Sequence, residues 1–260
     1  MTSRRTFLTT AAAAGAVTLL PFRLRAAGHS ADTFDTINGR VTVHPIDHAS
    51  IVLETPAGVI YVDPVGDVAM YDAMPAADLI LVTHEHGDHY NIDTLTSLLG
   101  DDAALITNPA VFDMLPAAMQ ARATAMANGE TARTGDISLE AVPAYNITEE
   151  RLDFHPQGRD NGYIVSVDGL RIYISGDTED TPEMRALENI DVAFVCMNLP
   201  FTMSKEAAAS AVMEFAPKYV YPYHYRGRDN GTQNPEEFAE LISGEIEVKI
   251  GNWYGGVMPS

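Results

Sequence analysis

The amino-acid sequence predicts a mixed protein of the α/β (α+β) class, folded as a four-layer αββα sandwich of two mixed β-sheets flanked by helices. Two observations predict it. Runs rich in Val, Ile and Tyr are followed by alternating strands and helices, and this order occurs twice. G-V-I-Y-V-D-P at 58–64 has a counterpart in L-R-I-Y-I-S-G-D at 170–177. Two such halves, placed face to face, give two sheets with helices on the outer faces.

The first half opens with short β-rich runs that tight turns separate. These are R-V-T-V-H-P-I at 40–46, S-I-V-L-E-T at 50–55 and G-V-I-Y-V-D-P, with Pro-Ala-Gly before the last. They predict an antiparallel sheet. A βαβ alternation follows: D-L-I-L-V-T at 78–83, a helix from about Ile92, A-L-I-T-N at 104–108, and a helix from Pro109 to about Met126 that Pro116 interrupts.

The second half repeats this theme from Ile137. Its predicted strands are I-S-L-E-A-V-P at 137–143, N-G-Y-I-V-S-V at 161–167, L-R-I-Y-I-S at 170–175, D-V-A-F-V-C-M at 191–197, Y-V-Y-P-Y-H-Y at 219–225 and I-E-V-K-I at 246–250. Asp168-Gly169 predicts a hairpin turn. Helices are expected over Ser204–Phe215, before Pro217, and from Pro235. Because no Pro- or Ser-rich linker separates the halves, residues 40–260 are predicted to form one domain.

The first 27 residues have the features of an export signal. S-R-R-T-F-L at 3–8 precedes an uncharged run at 9–20 and then R-L-R-A-A-G at 23–28. The Arg4-Arg5 pair resembles the twin-arginine type, with cleavage near Ala27. The apolar run of about 12 residues is short beside the roughly 20 that span a bilayer, so a stable membrane anchor is the weaker alternative. We therefore expect contact with the twin-arginine export machinery, a linker over 28–39, and a periplasmic or secreted mature chain.

The net charge argues against a nucleic-acid partner, and the cysteine content excludes an internal disulfide. The formal net charge is −20, and it becomes −24 when the signal takes away four arginines and no acid. Such a surface repels nucleic acid, so no nucleic-acid partner is expected. Cys196 is the only cysteine, which rules out an internal disulfide. It lies in an apolar run and is predicted to be a buried, inert thiol.

The stretch T-H-E-H-G-D-H at 83–89 directly follows an apolar strand. Imidazole nitrogens and carboxylate oxygens are preferred ligands of zinc and similar cations, so this density of them indicates a metal site. His84 and His86 alternate along the chain and can point the same way. Asp88 and His89 then turn toward a neighbouring position, which suits two metal ions better than one.

Three later segments supply further ligand candidates. The second half's hairpin ends on Asp177, where Gly176 permits a close backbone approach. Y-V-Y-P-Y-H-Y leads to His224, and His155 precedes the strand that starts the hairpin.

H-E-H-G-D-H, the G-D-T that follows a strand and the late P-Y-H-Y resemble the metallo-β-lactamase fold hydrolases, whose motif is H-x-H-x-D-H. The resemblance covers roughly residues 40–252. I-D-H-A-S-I-V-L-E-T, I-Y-V-D-P and A-Y-N are similar to the branch that includes L-ascorbate-6-phosphate lactonase and the phospholipase D acting on N-acylphosphatidylethanolamine. The resemblance implies one metal bound by His84, His86 and His155, a second bound by Asp88, His89 and His224, and a bridging Asp177.

Other residues are predicted to support this site. Asp63, in Y-V-D-P, is expected to orient a ligand histidine, with strand capping as the alternative. His48 is expected to stand behind the ligands or to be structural. Tyr223, or Tyr145 with Asn146, could reach the substrate, although core packing explains most tyrosines of this kind.

This constellation predicts a metal-dependent hydrolase. Two Zn²⁺ ions per chain are the default, and Mn²⁺, Fe²⁺ or Ni²⁺ would accept the same ligands. Metal-activated hydroxide would cleave an ester-like bond, either a lactone or a phosphodiester, of a small or lipid-like substrate, with Asp88 holding the nucleophile and shuttling its proton. Two alternatives stay open. One is a periplasmic β-lactamase, against which Tyr90-Asn91 replaces the A-G or L-G often found after D-H. The other is a mononuclear iron oxygenase on the same fold.

Overall fold

The computed structural model of the protein describes residues 31–255. The predicted twin-arginine signal, residues 1–27, lies outside the described residues, as does the C-terminal segment 256–260. The predicted linker over 28–39 is described only from residue 31 onward.

The described chain forms two seven-stranded sheets. The strands of the first are β1 (Asp32–Asp35), β2 (Arg40–Asp47), β3 (Ser50–Thr55), β4 (Gly58–Val62), β5 (Leu79–Val82), β6 (Ala104–Thr107) and β7 (Ala123–Ala125). Those of the second are β8 (Thr131–Thr134), β9 (Ile137–Ala144), β10 (Asp160–Val167), β11 (Leu170–Ile174), β12 (Val192–Cys196), β13 (Tyr219–Tyr223) and β14 (Glu247–Val248).

The helices are short. They are α1 (Ile92–Leu98), α2 (Pro109–Met114), α3 (Ala117–Gln120), α4 (Pro182–Arg185), α5 (Lys205–Phe215) and α6 (Pro235–Leu241), with 3₁₀ turns at Val68–Tyr71 and Glu149–Arg151. Side chains cap several of them, since Asn91 accepts from the second and third backbone amides of its helix and Ser204 from the third of α5. No helix in residues 31–255 combines the length and apolarity that crossing a bilayer requires.

Each sheet joins an antiparallel half to a parallel half. Strands β1 to β4 pair antiparallel and β4 to β7 pair parallel. The second sheet repeats the scheme, with β8 to β11 antiparallel and β11 to β14 parallel. The internal duplication predicted from the sequence is therefore present as two copies of one topology, and the predicted two-sheet αββα fold is confirmed.

Burial on both faces of the central strands explains their unbroken apolar runs. In β5, Leu79 and Leu81 belong to the core between the two sheets. The alternate residues, Ile80 and Val82, pack with Leu95 of α1 on the outer face. Because successive side chains of a strand point to opposite faces, a strand with a layer on each side is apolar throughout.

The linker prediction is wrong for part of its length. Within the segment predicted as a linker, residues 32–35 form β1, which pairs antiparallel with β2 in the register Phe34↔Val41. Phe34 is only 6% exposed and its ring packs against Tyr219, with centroids 4.8 Å apart. Polar neighbours on both sides conceal this single buried aromatic in the sequence.

The helix predicted from Pro109 to about Met126 is also different in the structure. It ends after Met114, resumes as α3 beyond Pro116, and gives way to strand β7. Proline lacks an N–H and pushes the preceding residue out of the helical region, and Leu115 accordingly has ψ 144°. Only three residues then join the edge of the sheet, which is too short a run to show strand periodicity.

Two glycines bring the end of β11 against neighbouring backbone. A Cβ on Gly162 would lie 2.7 Å from the carbonyl oxygen of Ser175 and 2.8 Å from that of Ile174. Gly176 has φ +60° and passes close to the backbone of Asn161. Since the next residue is Asp177, these contacts fix where the more buried of the two predicted ligand carboxylates emerges.

Substitution of Gly162 by alanine is predicted to lower the free energy of unfolding by about 1–3 kcal/mol, because backbone atoms must move to admit the methyl group. Gly100→Ala is the matched control, since nothing lies within 4 Å of its Cβ position. Urea denaturation of both variants would measure the difference. Equal midpoints would contradict the close approach.

Candidate metal centre

The candidate ligands converge at the carboxyl ends of strands from both sheets. His84 follows β5, Asp177 follows β11 and His224 follows β13. Carboxyl ends of parallel strands share one edge of a sheet, which is where ligand sites of such sheets form. Here the two sheets face each other, so the edge of each contributes to one cluster.

The T-H-E-H-G-D-H segment folds as a tight turn. The amides of His89 and Tyr90 both donate to the carbonyl of His86, at 2.9 and 2.8 Å. This turn brings His89 back beneath His84, with ring centroids 4.0 Å apart. The segment therefore presents side chains in two directions, as its sequence spacing indicates.

The first group of ligand atoms is that of His84, His86 and His155, all within 4.8 Å of one another. The Nε2 of His84 lies 3.1 Å from the Nδ1 of His86. His155 comes from the loop between β9 and β10, and its ring centroid is 4.8 Å from that of His86. Sequence reasoning tied His155 to the site only by resemblance, and the structure brings it there.

Asp177 lies between this group and a second one. Its Oδ2 is 3.4 Å from Nε2 of His155. Its Oδ1 is 3.3 Å from Nε2 of His89 and 3.6 Å from Nε2 of His224. The two oxygens of one carboxylate thus face histidines of different groups.

Asp88 and His224 meet on the second side, with Oδ2 of Asp88 3.2 Å from Nε2 of His224. His48 joins them, because its Nε2 is also 3.2 Å from that oxygen and its ring contacts that of His224 in a tilted arrangement, with centroids 3.8 Å apart. Asp88 is the accessible member of the cluster, with its side chain 47% exposed. Every residue predicted as a ligand is therefore within this single cluster.

The C-terminal segment holds His48 in place. The hydroxyl of Tyr254 lies 2.6 Å from Nδ1 of His48, and the His48 amide donates to the carbonyl of Trp253 at 3.4 Å. Trp253 is fully buried and its indole donates to the carbonyl of Pro222 at 3.1 Å. The latch formed by Trp253 and Tyr254 thereby connects His48 to strand β13, which His224 directly follows.

The donor set fits a cation. Among the candidate ligand atoms of residues 31–255 that face the cluster, Nε2 of His89 and Oδ1 of Asp177 are buried without a hydrogen-bond partner. Unpaired buried polar atoms are costly, and here they accompany imidazole nitrogens and carboxylate oxygens. Metal ions would satisfy this cluster, and neutral imidazole and carboxylate are the ligand types that zinc prefers.

Three polar groups behind the ligands orient the histidine rings. Asp63 Oδ2 accepts from Nδ1 of His89 at 2.7 Å. Asp160 Oδ2 lies 3.0 Å from Nδ1 of His155. Thr83, whose hydroxyl donates to Asp63, is 2.9 Å from Nδ1 of His84. Such partners fix the ring so that the other nitrogen faces the metal position.

The sequence indicated Asp63 but not Asp160 or Thr83. Asp160 is further held by Arg159, whose guanidinium also pairs with Glu85 at 3.0 Å. Glu85 accordingly turns away from the ligands. The R-D dipeptide after F-H-P-Q-G was the available signal, because an acid five residues from a ligand histidine can reach its ring.

Burial and mutual repulsion keep His84 and His86 neutral. Desolvation, followed by the nearby His89, lowers the pKa of His84 well below its ordinary value. Desolvation and then His155 lower the pKa of His86. Neutral imidazoles carry the lone pair that a metal ion needs, so both histidines are ready to bind at neutral pH.

The aspartates are held ionised. Burial alone would raise the pKa of Asp177, but His224 and His89 outweigh it and bring the pKa well below the ordinary range. For Asp88, hydrogen bonds with His224 and His48 likewise overcome burial and lower the pKa. Two carboxylates therefore supply negative charge among the histidines.

Three residues of the site have left-handed backbone conformations that are uncommon outside glycine. They are His48 (φ 49°), Asp63 (φ 44°) and His224 (φ 47°). Each costs of the order of 1 kcal/mol, and such residues collect at functional sites where the surroundings hold them. The surrounding structure thus holds these three residues in strained backbone conformations that direct their side chains into the site.

The predicted substrate contacts Tyr145, Asn146 and Tyr223 do not line the pocket. Tyr223 is fully buried and packs against Trp253. The Tyr145 hydroxyl donates to Glu183, and the Asn146 amide donates to the carbonyl of Phe201 at 2.7 Å. These predictions are corrected because both faces of β13 are covered and because the Tyr145 hydroxyl and the Asn146 side-chain NH2 bond within the protein.

The buried thiol is as expected. Cys196 is fully buried, and desolvation raises its pKa to about 12, so it stays protonated and unreactive.

A pocket of about 430 Å³ opens over the ligands. That volume is typical of small-molecule sites. It is lined by His86, Gly87, Asp88, Phe154, His155, Asp177, Asn198, Phe201 and Arg228.

Comparison with known proteins gives consistent results. Residues 42–224 match the family model described as Beta-lactamase superfamily domain. A UPF0173 metal-dependent hydrolase of Anaeromyxobacter dehalogenans (strain 2CP-C) is 32% identical over 232 residues, which cover 82% of this chain and 84% of that protein. Another, of Thermococcus kodakarensis, is 35% identical over 67% of this chain and 78% of its own length.

Two solved structures have a fold similar to that of this chain. A Parabacteroides distasonis protein assigned as a metal-dependent hydrolase superposes with a TM-score of 0.77 at 39% identity, over 86% of this chain and 98% of that one. A metallo hydrolase of Ignicoccus hospitalis has a TM-score of 0.64 at 21% identity, over 81% and 94% of the two chains, and shows the shared fold alone.

Asp63→Asn is predicted to weaken metal affinity about 10- to 100-fold, because His89 loses the carboxylate that fixes its ring. Competition against a chromophoric chelator would measure the affinity. Asp136→Asn, an exposed aspartate outside the site, is the control. Unchanged affinity in the Asp63 variant would show that this carboxylate serves only the strand end.

Proposed function

We propose that this chain, which belongs to the Beta-lactamase superfamily domain family, is a hydrolase that uses two metal ions. Its substrate would be a small or lipid-like molecule with an ester-like bond, either a lactone or a phosphodiester. The UPF0173 relatives are named metal-dependent hydrolases, which supports the reaction class.

The position of Asp177 carries the proposal. Its carboxylate is 3% exposed, and its two oxygens face His155 on one side and His89 with His224 on the other. A carboxylate placed in this way supports a bridging role. One metal would then be held by His84, His86 and His155, and the second by Asp88, His89 and His224.

When bound, a pair of metal ions polarises the oxygen of the scissile bond and lowers the pKa of water toward neutrality. The protein's residues do the remaining work. Asp88 borders the pocket as an ionised carboxylate, and it is placed to hold the attacking water and take its proton. His48 hydrogen-bonds to Asp88 and holds its carboxylate in place.

Zinc is the proposed metal, because histidine and aspartate ligands in a buried site suit it. The same donors accept manganese, iron and nickel. Metal analysis of protein purified without added metal therefore belongs with the first assay, and a single iron per chain would favour an oxygenase instead.

The first experiment is a rate panel. Zinc-loaded mature protein, beside a chelated control, is assayed on aryl phosphodiesters, simple and acyl lactones, and a chromogenic β-lactam. We expect a metal-dependent rate on one class of ester-like bond. Turnover confined to the β-lactam would assign the β-lactamase alternative, and no turnover on any substrate would contradict the proposed function.

His86→Ala and Asp177→Ala are each predicted to abolish this turnover while the fold survives, because each removes a metal ligand and leaves the sheets intact. His44→Ala is the matched control, since His44 pairs with Glu54 on the sheet away from the ligands. Initial rates, circular dichroism and bound metal per chain are compared. Full activity in either ligand variant would refute the ligand assignment.

We also propose that the chain is exported folded through the twin-arginine route. The Arg4-Arg5 pair, the apolar run and the small residues near Ala27 support it.

Replacing Arg4 and Arg5 together by lysine is predicted to keep the protein in the cytoplasm, since the export machinery reads the arginine pair. Fractionation of cells expressing either form, followed by immunoblotting, would test this. Equal periplasmic amounts of both forms would contradict the route.

A further inference from the structure

The wall of the pocket that faces the metal ligands has a different chemistry. It consists of Phe154, Phe201, Asn198 and Arg228. The phenyl rings of Phe154 and Phe201 meet edge to face, with centroids 5.1 Å apart. The Arg228 guanidinium lies over the Phe201 ring at 4.9 Å. An apolar platform and one cation thus border the opening.

The backbone fixes Arg228 in this position. Its amide donates to the carbonyl of Leu199 at 3.0 Å, and the Leu199 amide donates to the carbonyl of Gly231 at 3.0 Å. At Gly227 and Gly231 a Cβ would lie 2.1 and 1.8 Å from the Leu199 carbonyl oxygen. Only glycine allows this approach, so the loop 227–231 is pressed against the segment that carries Phe201.

Phe201 is anchored as well. The Asn146 side chain donates to its carbonyl at 2.7 Å, and the ring is partly buried. Arg228 and the platform under it therefore come from three segments that are distant in sequence.

Arg228 differs from the arginines that surround the site. Arg151 pairs with Glu179, and Arg159 pairs with Glu85 and Asp160. No carboxylate in residues 31–255 forms an ion pair with Arg228, whose side chain reaches solvent at the pocket. In a protein of net charge −20, an unpaired cation at the opening attracts anions locally.

We infer that the pocket takes a substrate that carries an oxyanion, a carboxylate or a phosphate, apart from the bond that is cleaved. Arg228 binds that oxyanion through its planar pair of N–H donors. An apolar or flat part of the substrate packs on Phe154 and Phe201. This inference rests on the proposed function, because it assigns the substrate class of the same site.

A binding measurement tests the inference without turnover. Benzoate, phenylphosphonate and neutral benzamide are titrated calorimetrically into zinc-loaded mature protein and into Arg228→Gln. The metals contribute equally in both proteins, so a difference reports on Arg228. We expect about tenfold weaker binding of the anions in the variant and no change for benzamide.

Two further variants complete the design. Arg228→Lys keeps the charge but loses the paired donors, and we expect it to restore part of the affinity. Arg133→Gln changes an exposed arginine on β8 and should bind as the wild type does. Equal affinity of wild type and Arg228→Gln for both anions would overturn the inference and leave Arg228 as a cover for Phe201.

Kinetics separate this inference from the proposed function. With 4-nitrophenyl hemiglutarate and the neutral 4-nitrophenyl hexanoate, Arg228→Gln should raise KM about tenfold for the anionic ester alone, with kcat little changed. Hydrolysis that ignores the substitution would refute the role of Arg228 and keep the hydrolase. Absence of any turnover would count against the hydrolase, while the calorimetric result would still decide the anion site.

Discussion

Burial of Asp177 among histidines is the interaction on which the rest of the site depends. Three imidazole nitrogens lie 3.3 to 3.6 Å from its two oxygens, and its side chain has almost no contact with solvent. Such a group needs compensating charge on more than one side. The histidines lie in loops that connect to strands of both sheets, so their distances to Asp177 are set by how the sheets pack. The packing of the two sheets therefore also determines the geometry of the candidate metal site.

Residues behind the ligands extend that constraint outward. Asp63, Thr83 and Asp160 each contact a ring nitrogen that faces away from the cluster. Gly162 and Gly176 have no side chain, which allows backbone of the neighbouring strand to pass close to them. The polar groups orient the rings, and the two glycines let neighbouring backbone pass close by. Together they leave few possible arrangements of the imidazoles. Arg228 lies outside this arrangement, on the opposite wall of the pocket.

The sequence predicted features that depend on residues close together in the chain. It missed several that depend on contacts between distant segments. H-E-H-G-D-H can be recognised because four donors lie within six residues, and β5 because both its faces are buried. Arg228 gives no periodic or compositional signal, since its role arises from contacts made only after folding, and Asp160 is indicated only by its spacing from His155. β1 escaped notice because one buried aromatic, Phe34, holds a strand of four residues. Tyr223 misled because alternation along β13 does not tell a pocket-facing side from one packed on Trp253.

The latch of Trp253 and Tyr254 has a consequence for the order of events during synthesis. Tyr254 contacts His48 across 206 positions of sequence, and His224 directly follows the strand to which Trp253 bonds. A growing chain therefore presents its early histidines long before their later partners exist. Any ion captured at that stage meets an incomplete and weaker set of donors. The complete set of predicted ligands is present only after His224 has been made, so the full donor set forms late in synthesis.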